Sequence, residues 1–496
     1  MSDAFDYVVV GAGSAGCVLA NRLTADGVTT VALVEAGGPD KKQEIHIPAA
    51  FSKLFKTSYD WAYETEPQPR LHDRKLYWPR GKVVGGSSSM NAMIYTRGHP
   101  HDFDAWQRRG WSWREVEPLF DSADLCSELR TKNPLSQAFV EACVETGIPR
   151  NDDFNDGSMD GAGFFHVTQR NGKRRSCAVA FLAPALKRPN LTLLTHAQTT
   201  RVLFDGTRAA GIEYVHDGET KQLRANREVI LSGGAINSPQ LLMLSGIGAA
   251  DELHKHGIDV VADLPDVGKN LQDHLVTGAM HVSTKPVSLA KAESIGNIVK
   301  YLLFRKGMLT SNVAEAGAFV RLRAGAPAPD IELIFGPTYY MSHGFANPKG
   351  HGFTVGAILL HPKSSGTIRL QSRDPLAAPL IDPNYFADDD DATLLREGVE
   401  LCRRVARAKA FDAFRGEEVW PGGADLDTHV RATSETLYHP VGTCAMGTVV
   451  DEQLRVRGVD ALRVIDASVM PSIVSGHPNA AVIMIAENGA RMIGRG

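Results

Sequence analysis

The sequence predicts an α/β chain, α+β overall, organised as more than one domain, and three observations carry that prediction. The chain has 496 residues, more than one hydrophobic core usually organises. Its first forty residues read as strand, glycine turn, helix, strand and acid, the pattern of a parallel βαβ unit. Between residues 316 and 371, four strand-like runs follow one another with loops rather than helices between them, which is how an antiparallel sheet reads. A composition of 43% hydrophobic and 22% charged residues excludes a disordered chain, a coiled coil and a collagen-like fibre. Lys and Arg total 53 against 57 Asp and Glu, a formal charge of −4, so the basic footprint of a general nucleic-acid binder is missing. The one excess is glycine, with 47 residues.

The βαβ unit comes first. Residues 5–10 are a valine-rich run with strand character, and residues 15–23 carry apolar side chains at helical spacing. Between them stand Gly11, Gly13 and Gly16. A second valine-rich run, residues 29–34, ends at Glu35. In such a G-x-G-x-x-G loop the first glycine permits the tight turn and the second lets backbone approach a pyrophosphate. The third lets helix and strand pack closely. The free N–H groups and dipole of the helix N-terminus favour the anion. Glu35 stands where a carboxylate can accept hydrogen bonds from ribose hydroxyls. The unit therefore predicts dinucleotide binding, with FAD and NAD both open.

Other features restrict where and how the chain works. The opening MSDAFDYVVV has no basic, leader-like region, and the longest purely apolar stretch, residues 480–486, is far short of the ~20 residues a spanning helix needs. Cys17, Cys126, Cys143, Cys177, Cys402 and Cys444 form no C-x-x-C pair, so neither a disulfide framework nor a metal site is expected. The expected compartment is the cytoplasm, without a membrane span.

The next dense glycine stretch is residues 79–91, PRGKVVGGSSSMN. Two adjacent glycines and three serines present many N–H and hydroxyl donors that can wrap a phosphate or a polar ring edge. Aromatic and apolar flanks (Tyr77, Trp78, Met93, Ile94, Tyr95) indicate a packed loop rather than a linker. The run from 79 to 98 resembles the first signature of the glucose–methanol–choline (GMC) flavin oxidoreductases. Residues 234–246, GAINSPQLLMLSG, resemble their second, and residues 264–274, ending in Asp273-His274, resemble the loop that follows it. Residues 438–444 (YHPVGTC) and 466–479 (beginning DASVMP and ending HPN) resemble the family's catalytic end.

The resemblance implies FAD as the dinucleotide, a Rossmann-like FAD-binding domain interleaved with a substrate domain, and alcohol oxidation as the reaction. It implies that residues 1–95, 160–275 and 425–496 build the FAD domain. Residues 96–159 and 276–424 would build the substrate domain on an antiparallel sheet with helices. Gly11, Gly13, Ser14, Ala15, Gly16, Glu35 and Ala36 would hold the ADP half. Arg80, Gly85, Gly86, Ser87 and Asn91 would lie along the pyrophosphate and flavin edge. Asp466, Ala467, His477 and Asn479 would lie near the pyrophosphate, ribityl chain or flavin ring, and Val202 would touch adenine through its backbone. Some members attach FAD through a histidine just before the asparagine of the first signature. Here that place is Met90, whose thioether is no nucleophile toward the flavin, so the FAD is expected to be non-covalent.

Removing a hydride from an alcohol carbon is easier once the hydroxyl proton has gone, so the site needs a base, and histidine suits one near neutrality. The family places a His–His or His–Asn pair at the positions of His439 and His477. By that resemblance His439 is the base and His477 the partner on the substrate oxygen, with coupled titration and shared roles open. Cys444 reads as a buried small hydrophobe rather than a nucleophile.

The basic trio Lys173, Arg174 and Arg175 reads as a solvated loop, and the acidic run 388–391 as a solvated helix start. Strands are expected at 316–323, 330–335, 354–361 and 366–371. Pocket walls are expected around Phe335, Tyr339, Tyr340 and His361, suiting an aromatic or medium-chain primary alcohol. The reduced cofactor would pass electrons to O2 or another acceptor. The alternative is a flavin-containing hydroxynitrile-lyase-type enzyme on the same scaffold. A flavin-binding module without catalysis would lack the histidine pair.

Overall fold

The computed structural model describes residues 3–120, 124–346 and 348–494. The expected βαβ unit is present: β1 (Ala4–Val10), α1 (Ser14–Leu23) and β2 (Val31–Val34). β1 and β2 pair in parallel, with Tyr7 opposite Val31 and Val10 opposite Val34. Their continuous valine and leucine runs are explained by burial: helices or loops cover both faces, so no face is left for polar residues.

β3 (Leu191–Leu194) extends this sheet beside β2. On the other side, β4 (Ala197–Asp205), β5 (Arg208–His216) and β6 (Glu219–Leu231) form an antiparallel meander. The far end of the long strand β6 pairs in parallel with β1. The strand order is therefore β3-β2-β1-β6-β5-β4. Strand β6 runs directly into α2 (Gly234–Leu244), the helix of the GAINSPQLLML segment.

The second sheet begins at β7 (Leu275–Ser283). Helix α3 (Ile295–Phe304) and the strands β8 (Ala316–Val320), β9 (Ile331–Gly336) and β10 (Gly352–Leu359) follow. These strands are antiparallel in the order β8-β9-β10-β7. Three of the four expected strand runs are thus neighbours. The fourth is not: Thr367–Arg369 pairs with Leu380–Asp382 in a separate ribbon. Helix α4 (Asp389–Ala406) covers this sheet with its apolar face, and Asp388 caps it, its side chain accepting from the Asp390 N–H at 2.9 Å. The acidic run is therefore a helix start, as expected, but it is not solvated throughout: Asp391 is buried and accepts from the Lys363 and Ser364 N–H groups at 2.9 Å.

β11 (Arg415–Trp420) lies at the far edge, beside β7. Strand β12 (Glu435–Thr436) also pairs with β7, although it lies in sequence among residues expected on the cofactor side. The chain then returns to the first sheet. β13 (Leu462–Val464) pairs in parallel with β6, and α5 (Asn479–Gly494) packs on α1, where Arg22 and Glu487 form a 2.7 Å ion pair. Among the described residues, no helix is long and apolar enough to cross a membrane.

Candidate active site

A cavity of about 650 Å³ runs between the two sheets. One end is the crossing of the two glycine loops. Gly16 sits behind it: a Cβ there would stand 1.9 Å from the Gly11 carbonyl oxygen, so only glycine lets α1 pack against the turn. Gly86 has φ of +53°, and a Cβ on it would lie 2.7 Å from Gly13 Cα. Two loops about seventy residues apart in sequence meet backbone to backbone there.

Gly11, Gly13, Ser14, Ala15, Glu35, Ala36, Arg80, Gly86, Ser87 and Asn91 all line the cavity. Gly16 and Gly85 stand behind it, the Gly85 N–H donating to the Ala12 carbonyl at 2.7 Å. Ser14 Oγ donates to Asn479 Oδ1 at 2.6 Å, tying the first loop to the last helix. Val202 does not line the cavity, and its N–H is taken by Ser245 Oγ at 2.8 Å. Ala197, Gln198 and Thr199, earlier on the same strand, line it instead.

Glu35 is more occupied than the motif suggests. Its carboxylate accepts from the Ala12 and Gly37 N–H groups at 2.9 and 2.8 Å, closing the end of β2 onto the glycine turn. Burial pushes its pKa up to about 7 against those two donors. Asp466 is fully engaged. One oxygen accepts from the Gly234 N–H and Ser238 Oγ, the other from the Ser468 N–H and Ser468 Oγ. A carboxylate has about four acceptor sites, so Asp466 anchors α2 rather than offering an acceptor to a ligand. Ala467 and Asn479 line the cavity beside it.

Arg174 corrects the reading of the basic trio. It is buried, donating to the Ile45 and Ser88 carbonyls and to Asn91 Oδ1, and burial lowers its pKa to about 9. It therefore holds the serine–asparagine loop in place from behind. Nothing in an isolated run of basic residues distinguishes a buried guanidinium from a solvated one.

At the other end stand His439 and His477, their ring centroids 5.0 Å apart and their planes at 89°. A third histidine organises them. His274 Nε2 lies 2.9 Å from the Leu360 carbonyl, which can only accept, so this nitrogen carries the proton. Burial, with His361 and His477 nearby, lowers the His274 pKa to about 3, so the ring is neutral and its Nδ1 is bare. His439 Nδ1, 2.9 Å away, must then donate to it. The His439 pKa is also lowered well below 6.5, by burial first and then by His477, His274 and Arg80. The neutral His439 ring therefore presents an unprotonated Nε2. Its backbone N–H is held at 2.7 Å by Asp273, which in turn accepts from the Tyr385 hydroxyl.

His477 has a different partner. Its Nε2 lies 3.0 Å from Glu332 Oε1, and its N–H donates to Thr96 Oγ1 at 2.8 Å. That leaves Nδ1 as the ring nitrogen without a protein partner. Sequence reasoning gave no role to His274, Asp273 or Glu332. The available signals were a DH pair closing a matched loop and a lone acid inside the apolar run Ile331–Gly336, since an unpaired charge is rarely buried in a strand.

The pocket walls differ in part from expectation. Tyr340 lines the cavity, its hydroxyl 3.1 Å from that of Tyr438. Phe335 points the other way and stacks on Phe139 in the core. Neither Tyr339 nor His361 lines it: the Tyr339 hydroxyl donates to the His351 carbonyl and His361 meets Ser475. Alternation along β9 explains Phe335, because neighbouring residues of a strand face opposite sides and Ile334 takes the cavity side. Cys444 is fully buried and its thiol pKa is raised by burial, so it is inert.

The donor set fits a dinucleotide that carries a redox ring. Thr199 Oγ1 and Ser232 Oγ are buried, line the cavity and lack any protein partner. The glycine crossing lets the two loops meet backbone to backbone at the cavity wall, where a Cβ on Gly11 or Gly86 would strike backbone.

Comparison with known proteins agrees. The two sequence profiles of the GMC oxidoreductase family match residues 5–276 and 362–486. The chain is 44% identical to an alcohol dehydrogenase [acceptor] of Pseudomonas putida, covering 99% of this chain and 96% of that one. It is 43% identical to the mitochondrial choline dehydrogenase of Mus musculus over 99% of this chain and 89% of that one. The crystal structure of pyridoxine 4-oxidase from Mesorbium loti superposes with a TM-score of 0.91 at 33% identity, covering 99% of both chains. Histidines on a built cradle, matched over nearly the full length, lead to one conclusion: the chain belongs to the GMC oxidoreductases, enzymes acting on CH–OH groups with FAD as cofactor.

Proposed function

We propose that the enzyme oxidises a neutral, apolar or aromatic primary alcohol to the aldehyde, with His439 as the base and FAD held non-covalently. The observation that carries this reading is the bare Nε2 of His439 in a cavity with apolar walls. Phe51, Phe55, Met280, Val313, Ile334 and Trp420 supply those walls. The carboxylates among the described lining residues are already engaged: Glu35 and Asp466 as described, and Glu435 by Arg74 at 2.7 Å and His343 at 3.2 Å. None of these carboxylates is free to pair a quaternary ammonium, whose partners would be aromatic faces such as those of Phe51, Phe55 and Trp420, and a polyol would find few free acceptors.

Gly11, Gly13, Ser14, Gly86, Ser87 and Thr199 would hold the dinucleotide, and Asn91 would meet the flavin edge. Bound FAD supplies a hydride acceptor for the carbinol carbon. The protein binds and aims the alcohol, with its hydroxyl between the two histidine rings. His439 Nε2 takes the hydroxyl proton while Nδ1 stays hydrogen-bonded to His274, so the incoming charge is shared along a chain that ends on the Leu360 carbonyl. His477, braced by Glu332, meets the same oxygen through Nδ1. Met90, buried beside the cavity, offers no nucleophile for attachment. On this reading the first sheet would belong to a cofactor domain and the second to an interleaved substrate domain, with β12 crossing over.

An anaerobic panel of aryl, medium-chain, polyol and amino alcohols, read at the flavin band near about 450 nm, tests the reading. Aryl and medium-chain alcohols should bleach the band fastest. Faster bleaching by choline or a polyol would overturn the substrate class. No bleaching by any alcohol, together with cleavage of a hydroxynitrile, would overturn the redox reading itself.

A further inference from the structure

Helix α3 is amphipathic the wrong way round for a soluble fold. Ile295, Ile298, Val299, Leu302 and Leu303 recur at the spacing of a single helical face, yet that face points to solvent. Ile295 is 82% exposed, Leu303 70% and Phe304 62%. The helix is held to the protein through Tyr301, its one buried residue, with Asn297 donating to the Lys291 carbonyl. Single exposed apolar residues need no explanation, but a contiguous ridge of five does.

The charges around this ridge point one way. Lys291, Lys300 and Lys306 are exposed along the helix and its ends, and Glu293, just before the helix, is paired with Lys53. At the C-terminal end, Arg305 stacks on Tyr301 at 4.7 Å and closes one side of a groove. His46, Arg170, Asn171, Lys173, Arg174 and Arg175 also line it, and Val179, also exposed, adds an apolar edge. Arg170 is paired with Asp124, but two guanidinium nitrogens in this lining, Arg174 Nη2 and Arg175 Nε, are buried without any partner. Arg174 itself is almost wholly buried. A buried cation with an unused donor, beside an exposed apolar ridge and several lysines, matches an anionic headgroup above an acyl region.

We propose that α3 and the adjoining basic groove form a docking surface for an anionic lipid bilayer, with the helix lying in the plane of the interface. A ten-residue helix spans only about 15 Å, so it lies on the membrane rather than crossing it. The surface is joined to the active-site cavity through the segment Pro48–Leu54. Its Ala49 packs against the apolar cluster that holds Tyr301, and its Phe51 lines the cavity.

Sedimentation of the FAD-loaded enzyme with vesicles tests this. Vesicles of phosphatidylglycerol and phosphatidylcholine should carry down most of the protein at low salt, and pure phosphatidylcholine vesicles much less. The double substitution Leu302→Glu and Leu303→Glu should reduce binding by about tenfold or more. Lys173→Glu with Lys306→Glu should reduce binding to the anionic vesicles alone, by roughly fivefold per charge removed. Both variants should keep the wild-type flavin content and rate of reduction by a water-soluble alcohol, since neither touches the cavity. Failure of the wild type to sediment with anionic vesicles would overturn the proposal, as would equal sedimentation of the Leu302/Leu303 variant. A wild-type dimer that ignores vesicles and becomes a monomer in that variant would assign the ridge to a second copy of the chain instead.

Discussion

The tautomer of His439 is decided two residues away from the reacting atoms. The Leu360 carbonyl fixes the proton on His274 Nε2, and that fixes the proton on His439 Nδ1. His439→Ala should therefore leave FAD bound while anaerobic flavin reduction falls by roughly 10²- to 10⁴-fold; an unchanged rate would remove His439 from the mechanism. The pH dependence follows from the same environment. A base must be neutral to work, and burial first, then the nearby His477, His274 and Arg80, lower the His439 pKa well below 6.5. The reduction rate should stay level down to pH 6.5 and fall only below it as the ring protonates. A titration of that rate with its acid midpoint at or above 6.5 would contradict this. At Met90, acid precipitation should release all the yellow colour into the supernatant, and colour retained in the pellet would show a covalent bond.

At the scale of elements, the glycine loops were legible because glycine has few other reasons to be so dense. Gly11, Gly13 and Gly16 announce a turn under a helix, and the turn is there. What their spacing did not reveal is that Gly86 crosses Gly13. Gly86→Ala would force a Cβ within 2.7 Å of backbone at a φ that L residues rarely take. Such overpacking costs about 1–3 kcal/mol, and the crossing can relieve it only by opening the cradle. Lower FAD content in the purified protein and a lower melting temperature are the expected results. If both match wild type, the two loops are not rigidly apposed. Val202, Phe335 and Arg174 mark where element-level reading ran out. The strand or loop carrying each was recognised, but the direction of a side chain, or the partner of an N–H, depends on what packs against that element.

At the scale of the whole molecule, the cavity is lined from both ends of the chain and from its middle, so the cofactor ties distant segments together. A ligand bound only by the native state stabilises it by about 2.7 kcal/mol at a hundred times its Kd. Stripping FAD should lower the melting temperature by roughly 3 °C or more, and the chain should still melt in one transition, because β7 begins where His274 enters the site. An early transition indifferent to FAD, seen by calorimetry, would show the second sheet melting by itself. The sequence alone determined the family, the cofactor, the βαβ cradle and the histidine pair, because those rest on short contiguous motifs whose chemistry tolerates few alternatives. The tertiary structure alone decided which groups stand behind them. His274, Glu332 and Arg174 act on their partners through contacts between segments about eighty or more residues apart, and such contacts leave no local pattern to read.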